Sequence, residues 1–236
     1  ITQDRLPVWS EIKMGNIGSR TSFNIEDYRT LYGYLSRYTR NVLDEKELYL
    51  RKMVRDFILI SSNTGLRFGE LRQLKWHYVS VVKGENKYPN VHIRVPAEIS
   101  KVRKKRTAVG MRGDFFNRIK SYSKHLHPDD YVFADMETGE LLSKKNLYSM
   151  WDLIMRESGL GDSLNDYTYY CLRHTFATYR LQYGKVDIRT LAKVMGCSVT
   201  YIEQHYDSAR VENMTDYITR GINEKSNDAF GDVILR

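Results

Sequence analysis

The chain has 236 residues, of which 42% are hydrophobic and 28% charged, enough for a globular unit that buries a substantial core. Its formal net charge of +8 and pI near 9.3 favour a polyanionic partner, with nucleic acid first among them. Two cysteines, Cys171 and Cys197, make no disulfide framework and point to a reducing compartment, while no apolar run approaches the roughly 20 residues that span a bilayer.

Residues 1–22 are polar and glycine-bearing without a sustained period, and read as a linker or arm. Because the first residue is Ile1 rather than Met, the chain reads as a fragment or processed piece of something longer. Asn24 then stands as a helix N-cap, with Asp27 three residues on and Phe23 and Tyr28 placed as a hydrophobic staple. That helix is expected to run to about Thr39. A second starts after Asp44, carries Leu48, Met53, Phe57, Ile58 and Ile60 towards a core, and ends near Gly65. A third spans about 67–75. Residues 77–83, 90–95 and 105–110 have strand character, with Gly84 to Pro89 as the first connection, and predict a small three-stranded antiparallel sheet. Helices are expected again at 114–126, 144–157, 172–183, 187–195, 199–206 and 211–220. The tail after Ile222 is polar until Val233 to Leu235. The fold class is therefore mainly α with one small antiparallel sheet (α+β).

Three strings carry the chemistry: TGLRFGEL (64–71), YCLRHTFAT (170–178) and MGCSVTYIEQHY (195–206). Arg67 follows a Thr-Gly-Leu turn and opens a helix, where free backbone N–H groups and a guanidinium could grip an anion. Glu70, at i+3, could orient it. Arg173 is expected where a helix begins after a tyrosine-rich loop. One such arginine is unremarkable on a surface; two, each at a helix start, suit a phosphate clamp, because charge developing on a phosphorane needs fixed positive groups already in place. Tyr206 ends a short helix whose Val199, Ile202, Tyr206 spacing puts the ring near the buried side. Most of the 18 tyrosines are core or surface residues; in the field of cations a phenol becomes a usable nucleophile.

The run EISKVRKKRTAVG is basic. Lys101 is the candidate general acid for a leaving 5′ oxygen, with Lys104 and Lys105 in competition. Arg103, Lys104, Lys105 and Arg106 are assigned to non-specific DNA contact. No Walker-type phosphate loop is present. His125 and His127 read as solvated residues rather than metal ligands. Phosphodiester transesterification requires no cofactor or metal, and none is assigned.

In order and spacing these strings resemble those of the tyrosine recombinase (phage integrase) family, over about residues 23–220. The resemblance implies the DNA breaking-rejoining catalytic fold. It places the family's two catalytic arginines on Arg67 and Arg173, its accompanying acid on Glu70, its hairpin lysine on Lys101 and its nucleophile on Tyr206. Two positions depart: Tyr170 stands three residues before the second arginine, where histidine is usual, and Cys197 nine before the nucleophile, where histidine or tryptophan is usual. A phenol can donate to a phosphate oxygen but is a poor proton acceptor near neutral pH, and Cys197 is a weak donor that can simply pack.

The implied function is a site-specific DNA recombinase working through a 3′-phosphotyrosyl link. The alternatives are a catalytically degenerate DNA-binding relative and a type IB topoisomerase-like enzyme. The resemblance further implies double-stranded DNA as partner, a homotetramer on paired sites, DNA-bending accessory proteins, and a cytoplasmic, nucleoid-associated setting. The expected organisation is a linker over 1–22 from a missing core-binding domain, a catalytic domain over 23–221, and a tail over 222–236 that docks on a neighbouring subunit.

Overall fold

A computed structural model describes residues 22–84, 87–161, 166–184 and 186–206, with residues 205 and 206 as helical backbone only. The helix expected at 211–220, the tail over 222–236 and all but the last residue of the 1–22 linker lie outside the described residues.

Helix α1 (Ile25–Leu35) starts as its sequence requires, with Asn24 Oδ1 accepting the Asp27 N–H at 2.7 Å. The Phe23 and Tyr28 rings meet edge to face, their centroids 6.4 Å apart. The helix stops short of Thr39. Ser36 Oγ donates back to the Gly33 carbonyl at 2.7 Å and the Arg37 N–H reaches the Tyr34 carbonyl at 2.9 Å, so tight turns replace the α pattern. Helix α2 (Glu45–Thr64) is capped by Asp44 and is the central element, buried at almost every position from Met53 to Ile60. Leu48 is only half-buried, and Tyr49 takes the inward place. Within α2 the fully buried Asp56 carboxylate is held by Arg55, by Arg118 and by the Tyr122 hydroxyl at 2.9 Å.

Short α3 (Phe68–Arg72), α4 (Asp114–Lys120), α5 (Lys144–Glu157) and α6 (Tyr169–Gln182) pack around α2. The sheet has strands β1 (Val79–Val82), β2 (Asn90–Val95) and β3 (Arg106–Gly110), antiparallel in that order. Its buried face carries Val91, Ile93, Val95 and Ala108, the period-2 alternation of a half-buried sheet. The first strand begins two residues later than expected. Trp76 and His77 give their backbone N–H groups to the carbonyls of Asp130 and Pro128, which turns residues 76–78 into a 3-10 segment. The fourth helix ends at Lys120 rather than near 126, where Ser121 Oγ donates back to the Arg118 carbonyl at 2.7 Å. Helices α7 (Ile188–Met195) and α8 (Val199–Tyr206) match their expected spans to within a residue.

Apolar residues form two cores. The larger gathers α1 to α5, the sheet and the first half of α6 through Leu172. The smaller joins Phe176 and Ala177 of α6 to Leu191, Ala192 and Met195 of α7 and Ile202 of α8. Helix α6 thus bridges the two, and Arg173 lies on it between Leu172 and Phe176.

Candidate active site

Two glycine caps organise the site. Helix α2 ends at Gly65 with φ +62° and α7 at Gly196 with φ +66°, the left-handed conformation that favours glycine. Each cap presents a carbonyl to an arginine. Arg173 donates through Nη1 to Gly65 O and through Nη2 to Met195 O at 2.9 Å. Arg67 donates through Nη2 to Gly196 O at 2.7 Å. The two guanidiniums are therefore anchored on consecutive carbonyls at the C-terminal end of α7, where the helix dipole favours cations.

Arg67 is the N-cap residue of α3. Its own N–H is not open to a ligand, because it donates to Glu70 Oε2 at 3.0 Å while its Nη1 donates to Oε1 at 3.0 Å. Glu70 also receives a second arginine. Arg106 Nη1 and Nη2 donate to Oε1 and Oε2 at 2.9 and 2.6 Å, and Arg106 Nε donates to the Val194 carbonyl at 3.1 Å. Burial alone would raise the Glu70 carboxyl; the bonds and charges of Arg106, then Arg67, outweigh it and hold the group below the ordinary carboxylate value. Arg106 was expected on an exposed, DNA-facing strand edge. It lies instead inside the site, its side chain 9% exposed, because β3 turns its first residue inward onto Glu70 and α7.

Arg173 also departs from its expected place. Helix α6 starts three residues early, so Arg173 sits in its second turn rather than at its beginning. Cys171 Sγ accepts the Thr168 N–H at 3.3 Å and closes the first turn there. The Arg173 side chain is almost completely buried, no carboxylate among the described residues pairs with it, and its Nε has no hydrogen-bond partner among them. Burial first, and the nearby Arg67 charge second, lower its pKa from the ordinary arginine value.

The Tyr170 and Tyr201 hydroxyls lie 3.2 Å apart, linking α6 to α8, and the Tyr170 ring meets His174 edge-on at 4.8 Å. Cys197 follows the Gly196 cap, half-buried, with its N–H on Ala192 O at 3.1 Å. Burial pushes its thiol up from 9.0 although Arg173, Arg67 and Arg106 all pull it down, which leaves a neutral thiol at pH 7. Lys101, Arg103, Lys104 and Lys105 are exposed on the turn between β2 and β3, with no side-chain bond to the arginine pair. Tyr206 is the last residue of α8, and its side chain lies outside the described residues.

Sequence reasoning assigns Arg106 to DNA contact rather than to Glu70, and singles out neither Gly196 nor Tyr201. Arg106 was hidden in a basic run, and the carbonyl anchors are main-chain atoms that no side-chain pattern reports; the glycine closing α7 was the available signal. Among the described residues no three His, Cys, Asp or Glu side chains gather as a metal site. His125 is half-buried with Nε2 3.1 Å from the Met136 carbonyl, less solvated than expected, whereas His127 is exposed. Among the same residues no helix is long and apolar enough to cross a membrane.

A mainly helical scaffold with a small three-stranded antiparallel sheet is the architecture of tyrosine recombinase catalytic domains. The chain belongs to the phage integrase family, whose profile matches residues 27–213. Similar solved structures include XerH site-specific recombinase bound to difH substrate in a pre-cleavage complex, at 22% identity and TM-score 0.59 over 81% of this chain and 51% of that one. XerA recombinase is similar at 21% identity and TM-score 0.57, over 84% and 62% of the two chains. A lambda integrase dimer bound to a COC′ core site gives 19% identity and TM-score 0.54, over 81% and 61%. At these identities the likeness establishes a shared fold, and the chain spans about half the length of the XerH structure. No curated protein sequence matches it.

Proposed function

We propose that this chain is the catalytic domain of a site-specific DNA recombinase that cleaves and rejoins strands through a 3′-phosphotyrosyl intermediate. The observation that carries the reading is the pair Arg67 and Arg173, fixed on the adjacent carbonyls of Gly196 and Met195. Preset cations need no rearrangement as charge builds on the phosphorane, which is where electrostatic catalysis gains most. The unpartnered, buried Nε of Arg173 supports the same reading, since such a donor is costly until an acceptor such as a phosphate oxygen arrives.

In this mechanism the Tyr206 phenol gives up its proton to solvent as its oxygen attacks the scissile phosphorus. The bond from phosphorus to the 5′ oxygen breaks, and Lys101 on the hairpin turn protonates that oxygen to leave a free 5′-hydroxyl. Arg67 and Arg173 hold the non-bridging oxygens and Glu70 orients Arg67. Tyr170, its hydroxyl held by Tyr201, donates to a phosphate oxygen. Cys197 as a neutral thiol packs beside the arginines and moves no proton. A 5′-hydroxyl from a partner duplex then displaces the tyrosine. Double-stranded DNA is the substrate, Arg103, Lys104 and Lys105 contact its backbone, and a homotetramer on paired sites, with DNA-bending accessory proteins and the tail over 222–236 as intersubunit contact, completes the reaction. A reducing cytoplasmic, nucleoid setting suits it.

Nicked duplexes drawn from the DNA flanking the encoding gene test this. A denaturant-stable protein–DNA adduct is expected, absent in Tyr206→Phe, and native sedimentation of the trapped paired-site complex is expected to give four protomers. The two departures, Tyr170 and Cys197, favour a second reading, a DNA-binding relative that does not cleave. It predicts salt-sensitive binding with no adduct on any substrate, and one covalent turnover eliminates it. Relaxation of supercoiled plasmid lacking any flanking sequence would favour topoisomerase-like chemistry instead.

A further inference from the structure

We infer that Arg106 is a positioning residue, which holds Arg67 in place through Glu70 and ties the lysine-bearing hairpin turn to the arginine pair; the inference rests on the recombinase reading above. Glu70 is a single carboxylate shared by two guanidiniums. Arg106 takes both of its oxygens, while Arg67 takes Oε1 with its side chain and Oε2 with its backbone N–H. Arg106 therefore fixes the plane of the carboxylate, and the carboxylate fixes the fork of Arg67 whose remaining Nη2 reaches Gly196 O. The third bond of Arg106, from Nε to Val194 O, fastens the same side chain to the last turn of α7, one residue before the carbonyl that anchors Arg173.

The packing is specific to that guanidinium. A Cβ at residue 196 would lie 2.8 Å from Arg106 Cδ and Nε and 2.9 Å from its Cζ, so the glycine cap and the arginine occupy complementary space. Arg106 is also the first residue of β3, where the exposed turn bearing Lys101 rejoins the sheet. A lysine at 106 could reach one carboxylate oxygen but could not bridge both oxygens and the Val194 carbonyl, because an ammonium lacks the planar fork. Without the bridge Glu70 is free to rotate, and Arg67 loses its orientation without losing its charge.

The test compares Arg106→Lys and Arg106→Gln with the parent chain in two measurements. The first is the cleavage rate at saturating nicked duplex, with DNA affinity and its salt dependence measured alongside. In Arg106→Lys we expect cooperative unfolding to persist, cleavage to slow by about a hundredfold, the scale of a small misplacement of a catalytic group, and affinity and salt slope to stay as in the parent. The second is the side-chain NMR signal of the Arg67 guanidinium, assigned with Arg67→Lys; it is expected to shift and exchange faster with solvent in both variants. Cleavage at the parent rate overturns the inference. So does a loss confined to affinity with the salt slope reduced by about 0.9, the mark of one neutralised phosphate. An unmoved Arg67 signal overturns it as well. Should the parent chain form no adduct, the recombinase reading fails by itself, and the Arg67 signal still decides whether Arg106 positions it.

Discussion

Arg67 and Arg106 share the Glu70 carboxylate while Arg173 rests on main-chain carbonyls, so three positive charges less one negative leave the cluster at +2. That imbalance suits a phosphodiester, which carries one negative charge and gains another as the phosphorane forms. Glu70 is the residue on which the balance turns. Glu70→Gln leaves two partly buried guanidiniums without their counter-ion, and is expected to lower stability at pH 7 by about 3 kcal/mol, the scale of a broken buried pair, measured by urea unfolding. The sign of the pH dependence follows from the direction of its shift. A carboxyl held below its ordinary value of 4.5 contributes stability above that value and loses it as pH falls through the folded pKa. Glu70→Gln should therefore flatten the acid limb of the stability curve below about pH 4.5, and an unchanged limb would place the acid-labile carboxylates elsewhere. Arg67, Glu70 and Arg173 were legible because their strings have fixed spacing. Arg106 was not, since a run reading Arg-Lys-Lys-Arg does not say which of its members turns inward.

The elements position these residues by the way they end. The caps Asn24 and Asp44 and the left-handed Gly65 could be read directly, because each supplies a bond or a φ that the neighbouring helix requires. The first turn of α6 could not. Its Thr-Tyr-Tyr-Cys sequence has weak helix propensity, and burial of Tyr169, whose hydroxyl donates to Leu147 O at 2.8 Å, overrides it. Gly65 tests this level. Its φ of +62° strains any L-residue, and an added Cβ would lie 2.4 Å from the Phe176 ring. Gly65→Ala is expected to cost about 2–4 kcal/mol, from left-handed strain plus overpacking, and to slow cleavage by moving the carbonyl that anchors Arg173. Thermal unfolding beside the adduct assay checks both, and a variant as stable and as active as the parent would remove Gly65 from the account.

At the scale of the whole molecule the two cores meet along α6, so α7 and α8, with the backbone of the Tyr206 segment, dock as one unit against the larger body that holds Arg67. The basic balance is distributed in two ways: some cations sit inside the site, others stand free on the hairpin turn. The overall charge was legible in the composition and this division was not, because burial decides it. Changing Arg103, Lys104 and Lys105 to Gln together should reduce the dependence of DNA affinity on salt by about 0.9 for each phosphate no longer neutralised, with folding intact; an unchanged slope would move the DNA track off the hairpin. The most direct measurement is peptide mapping of the denaturant-stable adduct by mass spectrometry. A nucleotide remnant on the peptide containing Tyr206 is the predicted result, and a remnant on the Tyr201 phenol or any other side chain, or no adduct on the flanking DNA, would contradict the account.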